Sequence, residues 1–130
     1  MKSISGFWAG TYAYLESGVP SVNFDCELRE AGGKISGQIT ESHGPGQMLV
    51  AAISGQLSGQ NIQFIKSYRG GGASFIWDIA YSGQVSPKKD YISGTWRVGM
   101  RTGTFEMHRD AGEIREAKTR ETADDPSETV

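Results

Sequence analysis

At 130 residues and a formal charge of −2, the chain has the size of one domain with a single buried core, which excludes a tandem arrangement. The charge is uneven: residues 110–130 hold seven acids against three bases, a net of −4 that leaves about +2 for the rest, and neither part is the concentrated basic field of a nucleic-acid surface. Eighteen glycines among many β-branched and aromatic residues, with no long apolar period of 3.6, exclude a helical fold and point to an all-β protein with frequent turns.

Breaker clusters at 16–20, 31–33, 42–47, 58–61, 69–72, 86–90 and 99–101 divide the first 109 residues into eight segments. Strands are predicted near 5–15, 21–30, 34–41, 48–57, 62–69, 73–84, 91–98 and 102–109. A five-residue unit of apolar, Ser, Gly, any residue and apolar recurs at Ile4–Trp8, Ile35–Ile39, Ile53–Leu57, Tyr81–Val85 and Ile92–Trp96. The chain is therefore a meander of similar strands.

Side chains two apart share one side of a sheet, so alternation assigns the faces. The second strand separates Val22, Phe24, Cys26 and Leu28 from Asn23, Asp25, Glu27 and Arg29. The same test turns Trp8, Tyr12 and Tyr14 inward on strand one, and Ile35, Ile39 and Glu41 on strand three. Further along it selects Lys66 and Tyr68, then Phe75, Trp77 and Tyr81, then Trp96, then Phe105 and Met107. Cys26, alternating with apolar neighbours, reads as a small buried hydrophobe.

Eight antiparallel strands with one apolar face leave two edges unless the sheet closes, so the expected fold is an eight-stranded antiparallel up-and-down β-barrel spanning 1–109. A two-sheet sandwich is the alternative. Residues 110–130 form an acidic tail, expected to be disordered or to hold a short helix over 111–121. No stretch of 18 apolar residues is present for a membrane span and the N-terminal residues contain no apolar signal run, so the expectation is a cytoplasmic protein without membrane or nucleic-acid partners.

Gly6-Phe7-Trp8, Gly94-Thr95-Trp96 and the eight-strand meander resemble the avidin and streptavidin family, and more loosely the lipocalins and fatty-acid-binding barrels of the calycin group. The resemblance covers roughly residues 4–109 and implies a barrel with a ligand site at one end. The avidins grip biotin with an Asn two residues after the first Trp and a Ser six after it. Gly10 and Tyr14 stand at those positions here, so no biotin-binding residue carries over.

In a meander the ends of strands 1, 3, 5 and 7 meet the starts of 2, 4, 6 and 8 at one mouth. Tyr12, Tyr14, Glu41, Lys66, Tyr68, Phe75, Trp77 and Trp96 point inward there, with His43, Ser17, Arg69 and Arg101 on loops above. The other mouth is an apolar plug of Gly6, Ile35, Leu57, Ile62, Tyr81, Ile92 and Met107. Aromatic walls with an acid, a base and phenols make the first mouth a candidate pocket for a small polar or aromatic ligand, its binding residues being Tyr12, Tyr14, Glu41, His43, Lys66, Tyr68, Trp77 and Trp96. The competing arrangement is a Glu41–Lys66 ion pair capping a solid barrel, which makes the chain an interaction module.

An acid-base enzyme would use Glu41 or His43 as base and Tyr68 or Lys66 as proton donor. No residue set has the spacing of a known catalytic motif, and neither a cofactor nor a metal is expected, since His43 and His108 are the only histidines. Outward parity puts Met48, Val50 and Ala52 on strand four, Ile65 on strand five, and Ile76 and Ala80 on strand six. That apolar patch predicts a homo-dimer or higher homo-oligomer through strands four to six.

Overall fold

The structure, a computed structural model, describes residues 3–42, 46–69 and 78–109. Eight strands follow one another: β1 (Gly6–Tyr14), β2 (Val22–Ala31), β3 (Lys34–Ser42), β4 (Met48–Ser58), β5 (Asn61–Arg69), β6 (Ile79–Val85), β7 (Tyr91–Val98) and β8 (Arg101–Arg109). Each pairs antiparallel with the next, and β1 pairs with β8, which closes the barrel and overturns the sandwich alternative. The expected strand six began at residue 73. The described strand begins at Ile79, and residues 70–77 and the tail from 110 onward lie outside the described residues.

Closure follows from the alternation. Trp8, Tyr12, Phe24, Cys26, Leu28, Ile35, Ile39, Ile53, Ile62, Phe64, Tyr81, Ile92, Trp96, Phe105 and Met107 all sit in one buried cluster, while their sequence neighbours face water. A fully buried side chain of this size contributes about 1.5–3 kcal/mol. A sheet rolled on itself lets eight one-sided strands bury all of these against each other.

The repeated unit gathers at one end of the barrel. Its copies on β3 and β4 pair with each other, Ile35 opposite Gly55 and Gly37 opposite Ile53, and those on β6 and β7 bring Gly83 opposite Gly94. The glycines let backbones coil tightly: a Cβ on Gly94 would stand 2.0 Å from the Ser82 carbonyl oxygen. Room saved at Gly55 and Gly83 is taken by Phe64 and Phe105.

This end is then sealed from two directions. Ile4, ahead of β1, is buried, and its carbonyl accepts a hydrogen bond from the Trp8 indole at 2.9 Å. The Arg109 guanidinium lies 4.8 Å from the centre of the Trp8 ring system and donates to the carbonyls of Ser3, Ser5 and Lys89. The apolar plug expected at this mouth thus carries a cationic clamp.

Candidate functional site

At the other mouth β1, β3 and β5 converge on one polar network. Glu41 is the second-last residue of β3, and its place opposite Phe24 on β2 turns its carboxylate inward. Lys66 faces inward from β5 because it pairs with Ile53, a core position of β4. The two side chains form an ion pair with no solvent exposure on either partner.

Two phenols complete the carboxylate's surroundings. Tyr12 donates to Glu41 Oε1 at 3.1 Å, and the Tyr68 hydroxyl reaches both carboxylate oxygens at 3.0 Å. Aromatic rings surround the ammonium: Lys66 Nζ lies 4.5 Å from the Tyr12 centroid, 4.7 Å from that of Tyr68 and 5.7 Å from that of Tyr81. Ring quadrupoles and carboxylate together replace the water a lysine would otherwise keep.

Burial governs the electrostatics. It pushes the Lys66 ammonium below the usual lysine range, although the Glu41 charge and hydrogen bond pull the other way. Tyr12 and Tyr68 are held above the ordinary phenol value, first by burial and then by the negative charge on Glu41. The phenols therefore stay protonated at neutral pH and act as donors. Cys26, deeper in the core, has its thiol pushed up to about 12 by burial, which suits the inert hydrophobe expected of it.

Outward from this network lies a second aromatic layer. Tyr14 meets Trp96 edge to face at 5.1 Å, and Tyr12 stands 6.0 Å from Tyr14 and 6.2 Å from Trp96. Trp96 lies against Gly103, where an added Cβ would fall 2.5 Å from the indole, and its Nε1 donates to the Ala13 carbonyl at 3.1 Å. Arg101 stacks its guanidinium 4.8 Å from the Tyr14 centroid and pairs with Glu16 at 2.9 Å, linking the β7–β8 turn to the segment after β1.

Of the eight residues predicted for the site, Tyr12, Tyr14, Glu41, Lys66, Tyr68 and Trp96 come together at this mouth. His43, Phe75 and Trp77 lie outside the described residues. Two participants escaped the sequence reading. Tyr81, by alternation a member of the opposite plug, pairs with Phe64 on β5 and its ring reaches Lys66. Glu16, in a breaker cluster, holds Arg101; only its charge, opposite to that of a loop arginine at the same mouth, could have drawn notice.

The Glu41–Lys66 pair caps the packed interior. Behind it, Phe64, Tyr81 and Phe105 pack with centroids 4.8–6.2 Å apart. Grooves also run along the outer wall. One of about 480 Å³ lies over Ala9 and Gly10 between Asp25 and His108, and one of about 430 Å³ runs beside Ile65 and Ala80. Among the described residues no three His, Cys, Asp or Glu side chains gather as metal ligands, and no helix is long and apolar enough to cross a membrane.

Comparison with solved structures identifies the fold. The chain is similar to a redesigned beta barrel, with a TM-score of 0.69 and 6% identity over 82% of this chain and 91% of the other. It is also similar to the redesigned beta barrel mFAP1, bound to DFHBI, with a TM-score of 0.64, 4% identity and coverage of 82% and 94%. A de novo designed fluorescence-activating beta barrel matches with a TM-score of 0.59 and 13% identity over 82% and 93%. No protein-family model and no curated protein matches the sequence. The likeness is to small β-barrels, and at these identities it concerns architecture alone.

Proposed function

We propose that the barrel binds a small polar or aromatic molecule at the mouth where Tyr12, Tyr14, Glu41, Lys66, Tyr68 and Trp96 converge. The observation that carries this reading is the solvent-free Glu41–Lys66 pair. Replacing such a pair by apolar residues of similar volume is commonly neutral or stabilising by about 1–4 kcal/mol, so stability is a poor reason for keeping it. An acid, a base and two phenols at one end are the few placed polar groups that orient a ligand among aromatic walls. His43 and Trp77 belong to the same proposal.

The structurally similar barrel mFAP1 is bound to DFHBI, which supports the capacity of such a scaffold for a small molecule. A closer kinship with the avidins rests on Gly6-Phe7-Trp8 and Gly94-Thr95-Trp96; with Gly10 and Tyr14 at the two positions that would grip biotin, biotin is not the ligand proposed. No cofactor, nucleic acid or membrane enters the reading, and its setting is cytoplasmic. Native mass spectrometry of the purified protein tests it: a copurified small molecule that is lost from Glu41→Gln supports it. An empty protein whose melting point no member of a panel of aromatic acids, amines and phenols raises overturns it.

A second reading, an interaction module, is favoured by the packed interior of Phe64, Tyr81 and Phe105. On this reading the outer face of β4–β6 forms a homo-dimer. Met48 is 60% exposed and Ile65 is 42% exposed, while Ala80 lines the same outer groove as Ile65; Ile76 lies outside the described residues.

A further inference from the structure

We propose that Lys66 is the attachment point for an aldehyde ligand, which it holds as a protonated imine with Glu41 as counter-ion. The proposal rests on the small-molecule reading above and specifies the ligand's chemistry. Its basis is a geometry no other described lysine has: an ammonium without solvent exposure, paired to a carboxylate without solvent exposure and ringed by Tyr12, Tyr68 and Tyr81. Lys34 and Lys88, by contrast, are exposed.

The reaction preserves what the site is built to hold. Lys66 passes one proton to Glu41, and the resulting amine lone pair attacks the carbonyl carbon. The nitrogen's next proton moves to the carbinolamine oxygen. Glu41 then returns its proton to that hydroxyl, which leaves as water while the C=N bond forms. Ammonium plus aldehyde has become protonated imine plus water. A cation still faces Glu41, so no uncompensated charge is buried at either end of the reaction.

The surroundings favour the steps. Desolvation lowers the Lys66 pKa and so raises the fraction of nucleophilic amine at neutral pH. Protonated phenols at 3.0–3.1 Å from the carboxylate keep Glu41 supplied with hydrogen bonds before it takes up the proton and after it has returned it. Rings on three sides suit a conjugated or aromatic aldehyde through π contacts. Tyr68 touches both members of the pair and is itself half-buried, so the site has a partly exposed member.

The test uses the intact protein with cinnamaldehyde as probe at neutral pH, trapping with cyanoborohydride and peptide mapping of the reduced adduct. The expected result is labelling of Lys66 at least tenfold ahead of Lys34 and Lys88, lost in Lys66→Arg. Before reduction, an imine absorbance band should appear, and it should be absent or much weakened in Glu41→Gln, which lacks the group that takes up and returns the proton. Labelling confined to exposed lysines overturns the proposal. If a non-carbonyl molecule nevertheless copurifies, binding at the mouth stands and only the covalent step falls; if nothing binds and Lys66 is unlabelled, both fall.

Discussion

Glu41 on β3 and Lys66 on β5 meet across β4 as an ion pair from which water is excluded, although their strands share no hydrogen bond. Each depends on the other for burial in ionised form. Lys66→Met removes the cation that neutralises Glu41 and should cost about 3–5 kcal/mol in denaturant unfolding. Joining it to Glu41→Leu should restore most of that loss while abolishing any ligand retention. A single variant as stable as the parent would show that the pair is not held as described.

Alkaline unfolding should be driven by phenols. Tyr12, Tyr68 and Tyr81 are raised above the ordinary value near 10, burial being the largest cause for each. The unfolded chain therefore releases these protons first, and the stability they confer is complete below about pH 10 and lost as pH rises beyond it. Lys66 acts in the opposite sense, since its lowered value makes stability rise with pH up to the unfolded value of 10.5. Three phenols outweigh one amine above that point. Tyrosinate absorbance should appear in the same step as loss of near-ultraviolet dichroism, and Tyr12→Phe should reduce by one the protons released on unfolding. Gradual ionisation of all five tyrosines in a protein that stays folded contradicts this assignment.

Two arginines at opposite mouths should behave differently. Arg109 donates to three carbonyls and covers Trp8, so Arg109→Ala should lower stability by about 1–3 kcal/mol through lost charged hydrogen bonds. Arg101 is exposed and pairs with an exposed Glu16, an arrangement worth little in water. Arg101→Ala should leave the melting temperature almost unchanged.

Gly103→Ala probes the aromatic layer. The new methyl would fall 2.0 Å from the Ala13 carbonyl oxygen and 2.5 Å from the Trp96 indole. Overpacking of this kind costs about 1–3 kcal/mol, and the indole must move. Its fluorescence should shift to longer wavelength; an unchanged spectrum and melting point would mean that Trp96 does not rest on this glycine.

Light scattering decides the proposed dimer. A dimer at micromolar concentration that Ile65→Lys converts to a folded monomer places the contact on β4–β6. A monomeric parent rules it out. The register makes this a demanding test, since Ile65 pairs with Ser54 and Ala80 whereas Val50 pairs with Arg69 and Ala52 with Ser67. Polar side chains thus interrupt the apolar positions that alternation had grouped together.

Strand number, turn positions and the inward face were legible in the chain because alternation is a local property: Phe24, Cys26 and Leu28 against Asn23, Asp25 and Glu27 assign a strand without reference to any other. The polar mouth followed from the same rule, since a meander fixes which strand ends share a side. Closure of β1 onto β8 was legible as well, because one-sided strands leave two bare edges otherwise; the reach of Tyr81 to Lys66 and the seal formed by Ile4 and Arg109 were not. Each depends on how far one strand is staggered against its neighbour and how steeply the barrel wall is coiled. Those quantities are decided by glycine contacts such as Gly94 against Ser82, which arise only when the whole sheet is in place. Whether Glu41 and Lys66 point to water or to each other is likewise a matter of depth inside the closed barrel, and period two carries no measure of depth.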